Sequence, residues 1–382
     1  MTLLYIDWGY IHDKEIIAEF ENKGITVKQR KFSEENKGLF LDNFNHDQNK
    51  EIEGLLEENM DEEIELVFSI NFISVISNWC QQKKIPYASW VLDLPNYDLY
   101  TQAIYNSCNY IGIGDSYLVE KLLKIGVKKV FLLPDAVSNN IEEPKKYEER
   151  EFCYIAKSPI KTLSLREISL YTKGYLEAFL HVQRVLHGEV ILEEGLLNRV
   201  YNELLNRNKI PSKIIPTMER LYFSDYYLNP ECISLRENIF LQNHSNLITI
   251  YSNEEFPMCK GNKFPFIEEE EKRREIYRKK EFSLILTPYT NHHGIDRNVL
   301  EVIAAGGFPV CSYQKDYDVF FSKNKNLAYF TNRVEFMDII TRYGNHLDAR
   351  EELQKEAYRH VMDNHTYKNR IDTMLYFWEK LS

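Results

Sequence analysis

The sequence has no CxxC pair, no His cluster at zinc spacing, no GxxxxGK(S/T) phosphate loop and no GxSxG elbow. Each absence removes a class of chemistry: the structural zinc module, the P-loop NTPase and the serine hydrolase of the α/β type. The six cysteines, Cys80, Cys108, Cys153, Cys232, Cys259 and Cys311, are scattered. They read as reduced, mostly buried thiols, as expected of a cytoplasmic protein. Positive charge is also short, with 47 Lys and Arg against 58 Asp and Glu and a net charge of −11. A nucleic-acid backbone needs a basic face, so nucleic acid is not an expected partner. A local basic pocket for one pyrophosphate stays open. Long apolar runs are missing as well. The longest apolar-rich stretch, Val67 to Trp79, is broken by Ser and Asn, so no transmembrane segment is expected. Met1 to Asp7 carries no basic region, and its apolar run is too short for a signal peptide.

What remains is a globular composition, 44% hydrophobic and 27% charged over 382 residues, a length that suits two domains. The 26 Tyr and 21 Phe accompany abundant Lys, Asn and Ile, and read first as codon usage. Short apolar runs alternate with amphipathic stretches from the start. Leu3 to Asp7 reads as a buried strand, Ile11 to Asn22 as a helix and Val27 to Phe32 as the next strand. Strands at Leu66–Ile70, Tyr87–Leu92, Tyr110–Gly114 and Lys129–Leu133 follow, with helices at Ile73–Lys83 and Ser116–Ile125. Lys37 to Glu63 reads as a polar, solvated excursion. This alternation predicts a parallel, doubly wound first domain over residues 1–138. Residues 139–151 read as a linker, and 152–235 as one strand (Phe152–Ala156) plus a helical subdomain, with helices at Glu177–His187 and Leu196–Asn206. A second α/β domain is expected over 236–360, with strands at Leu247–Tyr251, Phe282–Thr287 and Phe308–Ser312 and helices at Ile267–Lys280 and Asn298–Ala305. The acid-then-base run Glu268 to Arg274 reads as a solvated helix face. Ala349 to Leu381 reads as helical, residues 361–382 forming a separate last helix.

The segment from Thr287 to Val310 carries the most chemistry. A strand ends, a polar loop containing Tyr289, His293 and Gly294 follows, and a helix starts near Asn298. In an open α/β sheet, ligands bind beyond the carboxyl ends of strands, and free N–H groups at a helix start favour phosphate. Arg297 adds charge. Glu301, one turn in, is an acceptor-only group suited to a ribose diol. The plainer alternatives are that Gly306-Gly307 is a helix C-cap and Glu301 a surface residue. Ser252 and Asn253 sit after another strand and read as a base pocket or a simple turn. Lys157 after Phe152–Ala156 is a candidate for a diphosphate or an ordinary exposed lysine. Gly112-Ile113-Gly114 lacks the third glycine and the first-strand position of a dinucleotide fingerprint. Asp316-Tyr317-Asp318 reads as a turn or helix cap rather than a metal pair, so neither metal nor cofactor is expected.

Residues 282–312 resemble the donor-binding segment of the CgeB-like (spore maturation protein) glycosyltransferases. So does the tail from Tyr358-Arg359-His360 to His365-Thr366-Tyr367-Lys368-Asn369-Arg370. Trp90-Val91-Leu92-Asp93-Leu94-Pro95 and Gly126 to Pro134 resemble the domain that precedes them. The resemblance implies a GT-B fold: two Rossmann-like domains facing across a cleft, with the last helix crossing back to the first domain. It also implies a metal-independent transfer from a nucleotide-sugar donor to a glycan or protein acceptor. In related retaining enzymes two acids eight residues apart flank the donor loop. Glu301 matches the second, and the first falls on His293, which leaves stereochemistry open. Gly9, in the loop Asp7-Trp8-Gly9-Tyr10, would let the backbone approach the donor. His12 would be the base of an inverting reaction, or else a structural histidine, with Asp13 beside it. An epimerase or hydrolase on the same fold, or a non-catalytic nucleotide-sugar-binding protein, fits the same residues. A homo-oligomer is compatible with all of them.

Overall fold

The computed structural model describes residues 1–31, 53–58 without 55, 64–138, 149–157, 213–228, and 237–381 apart from 238, 239, 245, 254, 255, 257, 258, 260 and 289. Two compact units emerge. The first comprises Met1–Ser138, Ser212–Met218 and Thr366–Ser382, and the second Asn139–Pro211 and Glu219–His365.

In the first unit, β1 (Thr2–Asp7), β2 (Thr26–Lys31), β3 (Leu66–Ile70), β4 (Tyr87–Val91), β5 (Asn109–Ile113) and β6 (Val130–Leu132) form a sheet ordered β2-β1-β3-β4-β5-β6. Every pairing is parallel. Helices cover both faces of such a sheet, so β3, β4 and β5 are buried along their whole length. β2 is the edge, and its Thr-Val-Lys-Gln-Arg-Lys sequence leaves charge where another chain would otherwise pair. The helices between strands are α1 (Asp13–Asn22), α2 (Ser74–Lys83) and α3 (Ser116–Lys124), the last capped by Asp115, which accepts the N–H groups of Tyr117 and Leu118.

In the second unit, β7 (Glu149–Ala156), β8 (Ile248–Ser252), β9 (Lys263–Phe264), β10 (Lys280–Ile285), β11 (Pro309–Ser312) and β12 (Ala328–Phe330) are ordered β12-β11-β10-β7-β8-β9, again all parallel. Its helices include α4 (Glu270–Lys279), α5 (Arg297–Ala304), α6 (Tyr317–Phe320), α7 (Arg333–Asn345) and α8 (Leu347–Asn364). The expected C-cap of α5 is present. Gly306 takes φ 78°, and the Gly306 and Gly307 N–H groups bond to the carbonyls of Ile303 and Val302. A Cβ on Gly307 would sit 2.7 Å from the Tyr277 carbonyl, so α5 ends hard against α4.

The last helix, α9 (Tyr367–Leu381), belongs to the first unit. Tyr367, Ile371 and Met374 join the core of Tyr5, Phe68 and Trp90. Arg370, buried, donates from Nε to the carbonyls of Pro134 (2.8 Å) and Asp135 (3.1 Å).

Three expectations change. Residues 149–151, expected in the linker, already belong to β7, pairing with β10 and continuing the run that starts at Phe152. The excursion Lys37 to Glu63 is not wholly solvated: Leu56 is buried and Glu57 accepts the Trp79 indole N–H at 3.1 Å. The remainder of that excursion, and the helices Glu177–His187 and Leu196–Asn206, lie outside the described residues. The helical tail is interrupted at His365-Thr366, where the Asn369 side chain caps the Thr366 N–H. α7 and β12 carried too weak a period to be foreseen.

Gly112 also gains its reason. It lies inside β5, and a Cβ there would meet Leu133 Cδ2 at 2.6 Å and Phe131 Cε2 at 3.2 Å. The glycine permits close strand packing and serves no dinucleotide. Gly112→Ala should lower unfolding stability by about 1–3 kcal/mol through overpacking, read as a reduced urea midpoint with unchanged slope.

Candidate functional site

A parallel sheet offers a ligand crevice where the strand order reverses, beyond the carboxyl ends. In the second unit that point lies between β7 and β10. Lys157 follows β7, Ser252 ends the neighbouring β8 with Asn253 next after it, and the polar loop 287–296 follows β10. Most of the foreseen donor residues therefore share one edge of one sheet. Ser252 is buried, Asn253 exposed, His293 half-buried and Gly294 buried. Tyr289 lies outside the described residues. The loop is pinned from β11 and beyond: Ser312 accepts the Thr287 N–H (3.0 Å), Gln314 donates to the Asn291 carbonyl (3.1 Å), and Asp316 N–H donates to the His293 carbonyl (3.0 Å).

Glu301 is not a surface residue. It is only 4% exposed. Oε1 accepts the Arg297 Nε at 2.8 Å, and the Arg273 guanidinium lies 3.5 Å from Oε2. Oε2 has no hydrogen-bond partner among the described residues. A buried carboxylate needs compensation, and two arginines supply charge while one oxygen keeps acceptor capacity.

Arg273 overturns the reading of Glu268 to Arg274 as a solvated face. α4 starts at Glu270, three residues later than foreseen, and runs directly into β10. A helix packed back along the strand it precedes has its first turn at that strand's carboxyl edge. Arg273 therefore reaches α5, only 14% exposed, with Nη1 bonded to the carbonyls of Ile267 (3.1 Å) and Glu268 (2.9 Å). Arg274 and Glu270 pair beside it, 18% and 10% exposed. Lys157, in contrast, is exposed and pairs with Glu268 at 3.0 Å.

The helix start also differs. Asp296 is the N-cap of α5, and its Oδ1 accepts both the backbone N–H (2.9 Å) and the side-chain amide (3.0 Å) of Asn298. The Asn298 N–H foreseen for phosphate is thus committed to a carboxyl. Burial pushes Asp296 up to about 6. A second pair was not foreseen: His292 Nε2 lies 3.0 Å from Oδ1 of buried Asp225, on the irregular turn Ser224–Leu228. Both partners are ordinary residue types 67 positions apart in a sequence without repeats, so only the fold could join them. Of the pair Asp316 and Asp318, the first is buried beside α6, and the second accepts the hydroxyls of Tyr313 (2.6 Å) and Tyr329 (2.7 Å). No group of three or more His, Cys, Asp or Glu that could hold a metal ion occurs among the described residues.

The first unit holds the remaining candidates around the end of β1. Gly9 adopts φ 76°, and its N–H donates to Asp7 Oδ1 at 2.6 Å. Gln29 donates to Asp7 Oδ2, and Tyr5 Oη to Asp13 Oδ1 at 2.5 Å. His12 is only 5% exposed, its ring against Tyr10 and Tyr367 with centroids 5.7 and 5.3 Å away. Burial and the neighbouring Asp7 push Asp13 up to about 7. Burial works upward on Asp7 too, but hydrogen bonds from Asp13, the Gly9 N–H and Gln29 outweigh it and hold Asp7 below the usual carboxylate range. The two carboxyls are thus pushed in opposite directions, Asp13 up and Asp7 down, each acting on the other.

Residues 250–376, about a third of the chain, match a family model described as glycosyl transferase-like. Among solved structures, sucrose-phosphate synthase from Thermosynechococcus elongatus aligns at TM-score 0.55 and 9% identity, covering 100% of this chain and 99% of that one. HepE of Anabaena in complex with UDP and glucose aligns at TM-score 0.52 and 8% identity, with 99% of each chain covered. A trehalose-6-phosphate structure from E. coli bound with UDP-2-fluoro glucose gives TM-score 0.55, 8% identity and coverage of 100% and 99%. The fold is GT-B. No curated protein matches the chain by sequence. In GT-B terms the site above lies in the unit that carries the glycosyl transferase-like segment, and no helix among the described residues is long and apolar enough to cross a membrane.

Asp13 gives this region a pH signature. Its folded value of about 7 exceeds the ordinary 3.8, so the folded state binds more protons between those values and stability falls as pH rises through that window. Asp13→Asn, which mimics the protonated acid, should flatten the slope of urea-unfolding free energy between pH 4.5 and 7. An unchanged slope would refute the assignment.

Proposed function

We propose that this chain is a glycosyltransferase that takes a sugar from a nucleoside-diphosphate donor bound in its second unit and passes it to a glycan or protein acceptor without a metal. The observation that carries the reading is Glu301, a buried carboxylate at the topological switch point, with Arg297 bonded to Oε1 and Arg273 ion-paired at Oε2, where no hydrogen bond is made among the described residues. A ribose diol offers two donors to that acceptor-only group. The matched family segment and the UDP-bound structures of like fold support UDP as the first nucleotide to test. Within that class the chain fits the CgeB-like proteins on the segments quoted above. The five described free cysteines support a cytoplasmic setting.

The geometry supports one division of roles. Glu301 holds the ribose and Arg273 fixes the face that its carboxylate presents. Arg297 answers the diphosphate charge, and the backbone at Gly294 lets the loop close on it. Ser252, at the end of β8, and Asn253 after it line the base. With the α5 N-terminus capped by Asp296, side-chain cations carry more of the phosphate recognition than helix-start amides do. The first unit, with Gly9 and His12 after β1, presents the acceptor. No cofactor is required, because the donor's own diphosphate is the leaving group.

Calorimetric titration with UDP, GDP, CDP, TDP and ADP checks this. One nucleotide should bind, and Glu301→Ala should weaken it about tenfold or more, since a hydrogen bond to a charged group contributes about 1.5–3 kcal/mol. Arg273→Met should cost less, about threefold to tenfold, by loosening Glu301. Undiminished affinity in Glu301→Ala would remove the ribose assignment.

A further inference from the structure

We propose that a cavity at the amino ends of β4, β5 and β6 binds a phosphate dianion, free or carried by a small organic ester, with Lys84 and Lys129 as its cations. It lies at the edge of the first sheet opposite the carboxyl ends of the strands, where ligands of such sheets normally sit. It does not depend on the donor-site reading above.

Three observations converge. The first is the cavity itself, about 250 Å³ in volume, built from the starts of three adjacent strands and the end of α2. Pro86 precedes β4, Cys108 precedes β5 and Lys129 precedes β6. The walls are fixed by hydrogen bonds. The Tyr87 N–H donates to the Cys108 carbonyl (2.8 Å), the Ile111 N–H to the Lys129 carbonyl (2.9 Å), and the Cys108 N–H to Gln81 Oε1 (3.1 Å). A site that is already formed has little ordering cost to meet on binding.

The second is charge. Two of the eight lining residues are lysines and none is acidic, in a chain whose net charge is −11. One exposed lysine carries no signal, since most lysines are exposed. Two around one acid-free cavity do. The carboxyl end of α2, which Lys84 caps, brings only about half a negative charge, and two ammonium groups outweigh it. Lys129 Nζ donates to Tyr110 Oη at 2.8 Å and lies 4.0 Å from the centre of that ring. An ammonium has three donors, so Lys129 is positioned and still able to donate. The Lys84 ammonium makes no hydrogen bond or ion pair among the described residues.

The third is the backbone. Lys84 takes φ 59° at the C-cap of α2, the left-handed conformation that glycine adopts without strain. A lysine there strains the chain and sets a cation at the mouth of the cavity. Residues held in such conformations gather at ligand sites. The two lysines meet the phosphate oxygens, and the Ile85 and Tyr110 side chains form an apolar wall for the carbons of an ester.

The test uses the full chain at pH 8.5, titrated calorimetrically with inorganic phosphate and glucose 6-phosphate, with glucose and matched sodium chloride as controls. A phosphate probe should bind and glucose should not. Equal affinity for the two probes assigns orthophosphate, and tighter binding of glucose 6-phosphate assigns an ester. Lys84→Gly should weaken binding about tenfold, the loss of one charge-assisted hydrogen bond, with the urea midpoint equal to wild type or higher because glycine relieves the strain. Cys108 reports the location. Its half-buried thiol lines the cavity, and burial pushes it up to about 11, so alkylation by iodoacetamide is slow enough to follow by peptide mass spectrometry. With probe at about ten times its dissociation constant, the Cys108 rate should fall about tenfold by mass action, and only about twofold in Lys84→Gly at the same concentration. The calorimetric comparison decides alone if the thiol reacts too slowly to follow. Binding that is unchanged in Lys84→Gly, or that is lost instead in Arg297→Met, would place the phosphate elsewhere and overturn the proposal. So would a wild type that binds neither probe, or a Cys108 rate that neither probe changes.

Discussion

Burying a carboxylate is costly unless cations and hydrogen bonds answer it, and around Glu301 that constraint organises the second unit. Arg297 reaches it from the turn below on α5, and Arg273 from α4. For both to arrive, α4 and α5 must start at the same edge of the sheet. Parallel strands arrange this, because each helix returns antiparallel to its strand. Gly307 lets α5 close against the end of α4, with the Tyr277 carbonyl where a side chain would otherwise stand. The charge cluster, the helix contact and the glycine are one arrangement.

The same edge explains how the loop is held. Backbone and side-chain bonds from Ser312, Gln314 and Asp316 pin residues 287–293 from outside the loop, so its residues are presented by β11 and the turn after it as much as by their own strand. Asp296 adds a negative cap at the start of α5. Side-chain cations must then supply what a bare helix terminus would have given an anion, which puts weight on Arg297 and Arg273. In the first unit the end of β1 is built on a different principle. There Asp7 accepts the Gly9 N–H and the Gln29 amide, Asp13 accepts the Tyr5 hydroxyl, and Gly9 takes a left-handed conformation. His12 is packed between aromatic rings at that turn.

Strands were legible wherever both faces are buried. Leu66 to Ile70 and Tyr87 to Leu92 are apolar runs interrupted only by Ser69 and Ser89, both buried, as suits a doubly covered parallel strand. The donor loop was legible because its strand, polar turn and helix fall within about twenty residues of sequence, so local chemistry and local structure coincide. β9 and β12 were missed: two and three residues long, they lack the flanking apolar run that made the equally short β6 visible. The run Glu268 to Arg274 was misread because its charges pattern like a solvated helix, and only the docking of α4 shows that one of them turns inward. Asp225 with His292 left no local signal at all.

The sequence by itself determined the strand–helix alternation that opens the first unit and surrounds the donor loop in the second, the absence of phosphate-loop and hydrolase motifs, and the position of Glu301 one turn into a helix after a polar loop. These are properties of neighbours in the chain, and short-range periodicity and capping record them. Tertiary structure alone decided that Glu301 is buried, that Arg273 stands beside it, that Asp296 occupies the helix start and that Asp225 backs His292. Each depends on which faces of distant elements meet, and burial, which sets the cost of a charge, exists only once they have met.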